Sequence, residues 1–340
     1  MGHKLRKLWL RSLECRTKMS TPAISSTINR FEYVRSFEQI DSILPNTYFV
    51  VRLDGKGFHR FTQEHNFTKP NDKQALDLMS TCAEGVMREF NEISVAYGQS
   101  DEYSFVFRRD AEIFKRRASK IMSNLVSLFS SSYVFHFGQF FPDRKLKYPP
   151  TFDARVVVYP TAQNLRDYLS WRQADCHINN LYNTVFWTLV QDANLSRTAA
   201  EERLRGTDSG DKNEILFSEF GRNYNNEPMQ FRKGTTIVRV PRNFVSNEGI
   251  MTNDKKDDTT AAPTSITESS TIETSVAELI EETSETTVSA EEITKGDSKS
   301  KKPKWKLKKM LQPGYTALQP MHCDMIQNDF WTKYPFILQD

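Results

Sequence analysis

The chain has 340 residues, 38% of them hydrophobic and 12% aromatic, enough to bury one large or two modest cores, so a wholly disordered chain is excluded. Charges and amides interrupt every apolar stretch well short of the ~18 residues a membrane-spanning helix needs, and no membrane association is expected. The formal charge of +3 is unevenly distributed: Asn247 to Ser300 hold thirteen Asp and Glu against four Lys, a local −9 that leaves +12 on the rest, and a body that basic favours a polyanionic partner.

The first eighteen residues carry Lys4, Arg6, Lys7, Arg11, Arg16 and Lys18 among Leu5, Leu8, Trp9, Leu10 and Leu13. Residues 1–28 therefore read either as a mitochondrial targeting leader, which a start at Met19 would omit, or as a solvated terminus. Tyr48 to Leu53 is an apolar run broken only by Arg52 and closed by Asp54-Gly55, the pattern of a buried strand ending in a turn. Asn71 and Gln74 form a capping-box pattern ahead of Leu76, Met79, Ala83, Val86 and Phe90 at helical spacing. Ile93 to Tyr97 and Tyr103 to Phe107 read as a hairpin across Gly98 to Glu102. A long helix is expected from Ile113 to Tyr133, a strand from Arg155 to Tyr159 and a second long helix from Asn164 to Gln191.

That order is α+β, the ferredoxin-like βαββαβ arrangement of a polymerase-palm-type antiparallel sheet with long helices on one face, followed by helical C-terminal elaborations. Residues 29–246 form the expected catalytic and RNA-recognition domain. Residues 247–302, rich in Ser, Thr and Glu, read as a disordered acidic insertion, because they cannot bury enough apolar surface to offset their ordering entropy. Residues 303–340 form a basic and aromatic segment: the lysines around Trp305 are either a solvated flank or an RNA contact, and Asp329 to Phe336 is expected to pack back on the body. The four scattered cysteines (Cys15, Cys82, Cys176, Cys323) match neither a zinc site nor a disulfide scaffold and read as reduced thiols of an intracellular protein.

In a βαββαβ sheet the first and third strands are antiparallel neighbours, which brings Asp54 beside Asp101 and Glu102. Carboxylates converging at one sheet edge repel each other unless a cation lies between them, and hard oxygen donors favour Mg²⁺; such a pair can hold two ions around a triphosphate. Alone, an Asp before Gly is more simply a turn residue. Gly55 and Gly57 permit close backbone approach, and their amides with Lys56 are expected to meet a triphosphate. Arg117 and Lys120, one turn apart near a helix start, are either solvated charges or a further anion site. On the second long helix, Ile178, Leu181, Val185 and Leu189 form a core stripe. Gln173, His177, Asn180 and Thr184 form a polar stripe that suggests hydrogen bonding to a base or a neighbouring subunit. Lys212 lies at a capping-box helix start or is simply an exposed lysine.

The blocks Asp54 to Phe61 (DGKGFHRF), Lys69 to Asp72 (KPND), Tyr97 to Phe105 (YGQSDEYSF), Arg116 to Lys120 (RRASK), Tyr168 to Asn183 (YLSWRQADCHINNLYN) and Lys212 to Phe220 (KNEILFSEF) closely resemble the eukaryotic tRNA(His) guanylyltransferases, from about Phe31 to Val240 and again at His322 to Asp324 and Phe330-Trp331. The resemblance implies addition of one guanylate to the 5′ end of tRNA(His), in the 3′→5′ direction. ATP adenylylates the 5′-phosphate, the 3′-hydroxyl of GTP displaces AMP, and pyrophosphate is removed. It implies Asp54, the Gly55 carbonyl and Asp101 as ligands of two Mg²⁺, with Glu102 in support and Lys69 in activation. Asp54, Gly55, Lys56, Gly57, Phe58, His59, Ser100, Asp101, Arg117 and Lys120 are implied as nucleotide contacts, and His177, Asn180 and Lys212 as tRNA contacts. It further implies a homotetramer. The protein is expected in the cytoplasm and/or nucleus, with a mitochondrial form if the basic leader targets. The alternatives are templated repair of truncated tRNA 5′ ends and, from another class, a non-catalytic tRNA-binding subunit.

Overall fold

A strand buried on both faces should be continuously apolar, and β1 (Tyr48–Gly55) is buried from Tyr48 to Val51 and again at Leu53, flanked by a neighbour on each side. In this computed structural model, which describes residues 31–241, 244 and 316–338, the elements that follow are α1 (Phe58–Glu64), α2 (Lys73–Glu89), β2 (Ile93–Gln99), β3 (Glu102–Phe107), α3 (Ala118–Phe140), β4 (Phe152–Tyr159), α4 (Ala162–Gln191), α5 (Arg197–Leu204), α6 (Ser209–Glu214), β5 (Thr235–Pro241) and β6 (Thr316–Met321). The leader 1–28, most of the acidic stretch's expected domain boundary and all of 247–302, and the lysines around Trp305 lie outside the described residues.

The six strands form one antiparallel sheet in the order β4-β1-β3-β2-β5-β6, an α+β architecture. Helices cover both faces, which corrects the expectation that the long helices share one. On one face α2 and α3 pack Leu78, Cys82, Val86, Ile121, Leu125 and Phe129 against Phe49, Val51, Leu53, Phe105 and Phe107. On the other, the first turns of α4 (Leu165, Tyr168, Leu169) and the closing segment (Phe330, Trp331, Tyr334, Phe336) pack against Tyr48, Val50, Val95 and Val238. Of the closing segment, residues 330–337 supply this second cluster. Beyond the sheet end, Leu181, Val185 and Leu189 of α4 form a third cluster with Ala200, Leu204, Leu216 and Tyr224, while Ile178, 53% exposed, falls outside the stripe assigned to it.

Local chemistry explains two shifts in element ends. Asp72, not Asn71, caps α2, accepting from the Ala75 amide at 3.3 Å, and Asn71 is released to donate to Asn180 Oδ1 at 2.9 Å. The helix expected from Ile113 begins only at Ala118, because Phe114, Lys115 and Arg116 adopt positive φ. That conformation turns Arg116 inward, where its buried guanidinium donates to the carbonyls of Ile43, Leu44, Thr47, Arg109 and Ala111. Arg116 is therefore a structural tie between the chain before β1 and the chain before α3. Strands β5 and β6, not anticipated from the sequence, widen the sheet beyond β2.

Candidate active site

The turn between β2 and β3 is two residues, Ser100 and Asp101, with Ser100 at φ 50°. The turn meets the end of β1, where the Gly55 amide donates to the Asp101 carbonyl at 3.1 Å and Ser100 Oγ donates to Asp101 Oδ1 at 3.0 Å. Gly55 is required here: a Cβ would lie 2.8 Å from Asp101 Oδ2 and 2.3 Å from the Phe58 ring. Asp54 pairs in register with Glu102 on one side and Asp153 on the other, so paired side chains share the face covered by α4. Burial pushes the Asp101 carboxyl upward, and the nearby charge of Asp54 adds to the shift against Ser100 and Lys69. Glu102 is also raised, by burial against the pull of Arg172.

Glu102 does not join the other two as a free carboxylate. Arg172 of α4 holds it with two parallel bonds of 2.7 and 2.8 Å, and the two side chains are only 8% and 12% exposed. The same guanidinium reaches Asp175 at 3.0 Å and lies over the Trp171 ring at 4.5 Å. The expected trio thus reduces to Asp54 and Asp101, and among the described residues no group of three or more His, Cys, Asp or Glu side chains could hold a metal ion. Asp54 and Asp101, with the Gly55 carbonyl beside them, still make an all-oxygen donor set. It suits Mg²⁺, which takes few protein ligands and fills the rest of its octahedron with water and phosphate oxygens.

Asp101 and Ser100 form a shared wall between two cavities. The larger, about 530 Å³, runs from Asp101 past Phe58, His59, Thr62 and Lys69 to Trp187 and Arg197 of α4 and α5. The smaller, about 370 Å³, contains Asp54, Asp101 and Glu102, and six amide side chains (Asn71, Gln99, Asn179, Asn180, Asn183, Gln230) are among its other lining residues. Lys69 donates to Thr62 Oγ1 at 2.9 Å, and burial followed by the charge of Arg197 depresses its ammonium against the pull of Asp101 and Asp72. Phe58 lines the larger cavity from within a ring cluster with Phe61, Tyr133 and Phe152. In the glycine loop, Gly57 adopts φ 68° and opens α1. The Gly55 and Lys56 amides, expected to face a triphosphate, are already engaged by the carbonyls of Asp101 and Thr151. The Lys56 and His59 side chains are exposed.

Arg117 and Lys120 are not brought to this point. Arg117 bridges Ser42, ahead of β1, while Asp54 is at the strand's far end, about 20 Å or more away at ~3.3 Å per residue. The amino end of α3 already has its anion, since Asp41 Oδ2 accepts from the Ser119 amide at 2.7 Å and Oδ1 pairs with Arg117 at 3.4 Å. Lys120 Nζ lies 4.9 Å from the centre of the Phe114 ring.

The polar stripe of α4 is mostly internal, which corrects its reading as a surface for a base or a subunit. Gln173 donates to the carbonyls of Lys233 and Cys323 at 2.9 Å each and accepts from the Met325 amide at 2.6 Å. Buried Asn180 links Asn71 to the Tyr224 hydroxyl, and Thr184 bonds back to the Asn180 carbonyl. His177 is half-buried with its ring 5.4 Å from that of Tyr224; burial, then Lys233 and Arg232, holds its imidazole below the usual range. Lys212 belongs to the capped helix α6 and donates to the carbonyls of Thr207 and Asp208. The residues that sequence reasoning missed are Arg172, Asp175, Trp187 and Arg197. The first two lie inside the α4 block, but their partner Glu102 is 70 residues away from Arg172 and no local pattern points to it.

Comparison with known proteins bears on the whole body. A family model described as tRNAHis guanylyltransferase matches residues 31–160, and one described as Thg1 C terminal domain matches residues 163–327. The tRNA(His) guanylyltransferase of Neurospora crassa is 46% identical over 315 residues, covering 91% of this chain and 95% of that protein. A probable tRNA(His) guanylyltransferase of Bos taurus is 62% identical over 210 residues, covering 62% and 70%. The crystal structure of the Saccharomyces cerevisiae tRNA(His) guanylyltransferase shares 48% identity at a TM-score of 0.59, over 62% of this chain and 93% of that one. A bacterial tRNA(His) guanylyltransferase-like protein in complex with ATP, at 24% identity and a TM-score of 0.52 over 62% and 86%, shares the fold.

Proposed function

The chain belongs to the tRNA(His) guanylyltransferase family and is a nucleotidyltransferase, and from that premise we propose that it adds a guanylate to the 5′ end of tRNA(His), with ATP and GTP as substrates. The reading includes the 3′→5′ polarity and its three stages: adenylylation of the 5′-phosphate, attack by the 3′-hydroxyl of GTP with loss of AMP, and removal of pyrophosphate. We also read β4-β1-β3-β2, with α2 and α3 on one face, as a palm-type ferredoxin-like core. The observation that carries the proposal is that Asp54 and Asp101 line one cavity and Asp101 also lines a second, each large enough for part of a nucleotide.

Two Mg²⁺ ions held by Asp54, Asp101 and the Gly55 carbonyl would neutralise charge at the transferring phosphoryl group and its leaving group. Asp101 is held in place by Ser100 and by the bond from Gly55 to its own carbonyl, so the carboxylate needs little rearrangement to serve as a ligand. Lys69, which lines the larger cavity with Asp101 and Asp72, supplies a side-chain ammonium that meets phosphate oxygens there. Arg172 neutralises Glu102 and keeps its charge from repelling the incoming polyanion. His177, beside Lys233 and Arg232, is the member of the polar stripe left to contact RNA. The reading also includes a homotetramer, checked by light scattering, and a mitochondrial form started at Met1 beside a cytoplasmic or nuclear form started at Met19, checked by localising fusions begun at each.

The test is Asp101→Ala with labelled GTP, ATP, Mg²⁺ and a panel of tRNAs. Loss of 5′ label with tRNA binding retained is expected, whereas full activity would overturn the site. Label appearing on truncated tRNAs in place of tRNA(His) would assign the chain to 5′-end repair.

A further inference from the structure

The two cavities differ in chemistry. The smaller holds the carboxylates Asp54, Asp101, Glu102 and Asp175 and one cation, Arg172, whose guanidinium is already committed to Glu102 and Asp175. Away from Asp54 and Asp101, where metal ions would take up the charge, such a cavity offers a polyphosphate no uncommitted cation. What it offers instead is amides. Asn71, Asn180 and Gln230 are fixed in its wall by bonds to one another, Tyr224 and Asp77, while Gln99, Asn179 and Asn183 keep hydrogen-bonding capacity free. Asn179 and Gln99 each spend one N–H on Asp175 Oδ2, at 3.0 and 3.4 Å. Asn183, on the rim shared by both cavities, makes no side-chain hydrogen bond among the described residues. A side-chain amide presents a donor and an acceptor side by side, which matches the edge of a nucleobase, whereas a phosphate, all acceptors, can use only its N–H.

Resting on the transferase reading above, we propose that the amide-lined cavity on the Asp54 side of Asp101 receives the terminal 5′ nucleobase of the RNA being extended, read by Gln99 and Asn179. A transfer reaction joins two nucleotides at one phosphoryl centre, and Asp101 stands between a cavity where Lys69 and Arg197, neither in an ion pair among the described residues, lie beside Asp72 and Glu201, and one whose single cation is committed and whose amides keep capacity. The polyphosphate-bearing reactant is drawn to the first and the RNA's terminal base is left to the second. At about 370 Å³ the space is within the range of small-ligand sites.

The experiment measures KM for tRNA and for GTP separately in Gln99→Ala and Asn179→Ala, together with binding of RNA whose 5′-terminal residue is 2-aminopurine or is abasic. Loss of a base-edge contact should raise the KM for tRNA about tenfold and leave the KM for GTP unchanged. On the wild-type protein, without GTP, 2-aminopurine fluorescence should change on binding, and the abasic RNA should bind about tenfold more weakly. A rise in the KM for GTP instead, or a fall in kcat with both KM values unchanged, overturns the proposal. So does equal binding of the abasic RNA, which needs no variant to fold. A wild-type protein that adds no guanylate to any tRNA refutes the transferase reading itself, a different outcome from an active enzyme indifferent to the terminal base.

Discussion

Replacing Arg172 by Met removes the partner of a carboxylate that the fold has almost withdrawn from water. Glu102 accepts from Arg172 at 2.7 and 2.8 Å, with the two side chains 12% and 8% exposed respectively, and its neighbours Asp54 and Asp101 are also acidic. Breaking a buried pair from one side costs about 3–5 kcal/mol, because a charge is left unmatched. At about 2–4 °C per kcal/mol for a domain of this size, Tm should fall by roughly 6–20 °C in differential scanning calorimetry. Burial already lifts the Glu102 carboxyl, and without Arg172 the folded state would bind its proton more tightly still than the unfolded chain does. The loss is therefore fully present above the folded pKa and shrinks as the pH falls through it. The double variant Glu102→Leu with Arg172→Met should recover most of the stability, since an apolar pair of similar bulk replaces an ion pair at little net cost. A Tm change under about 2 °C in Arg172→Met at neutral pH would refute the reasoning.

Gly55→Ala should displace the Asp101 carboxylate or the Phe58 ring, costing about 1–3 kcal/mol in urea unfolding and removing most guanylate incorporation. Asp101→Asn should raise Tm in metal-free buffer, because burial and Asp54 disfavour the native charge; the gain is present above the raised pKa and vanishes as the pH falls through it, and excess Mg²⁺ should reverse the order of the two proteins. Gln173→Ala strands the Met325 amide and two carbonyls, so it should cost at least about 2 kcal/mol and speed amide hydrogen exchange in 322–338 before it does so in β1. The affinity for tRNA should fall steeply between low and moderate salt in filter binding, and a flat response would contradict phosphate-dominated contact.

The central strands and the sites of the carboxylates were legible because they rest on local patterns: an apolar run ended by Asp-Gly in β1, and a hairpin whose turn carries Asp101. Helix α3 was misread at its start because positive φ at three successive residues without glycine leaves no compositional mark. The amides of α4 looked like a recognition surface because their partners, the carbonyls of Lys233 and Cys323, are 60 and 150 residues away. The same distance concealed the Arg172 clamp on Glu102. Arg117 and Lys120 were grouped with the site on charge alone, whereas Asp41, not visible as a cap from its own neighbourhood, neutralises that end of α3. Strand β6 follows so long an interruption that its alternation had no adjacent strand to be matched with.

Strands β5 and β6 pair antiparallel with Pro241 opposite Thr316, so everything written between them leaves and re-enters the sheet at a single rung. Closing a chain between two such posts becomes only about 0.6 kcal/mol harder for each doubling of its length. The rung should therefore accept a change of length or a grafted domain placed beyond Phe244, whose ring packs on Tyr334 and Phe336. It is a natural port for a reporter, on the opposite side of the sheet order from β1 and the chemistry at its end.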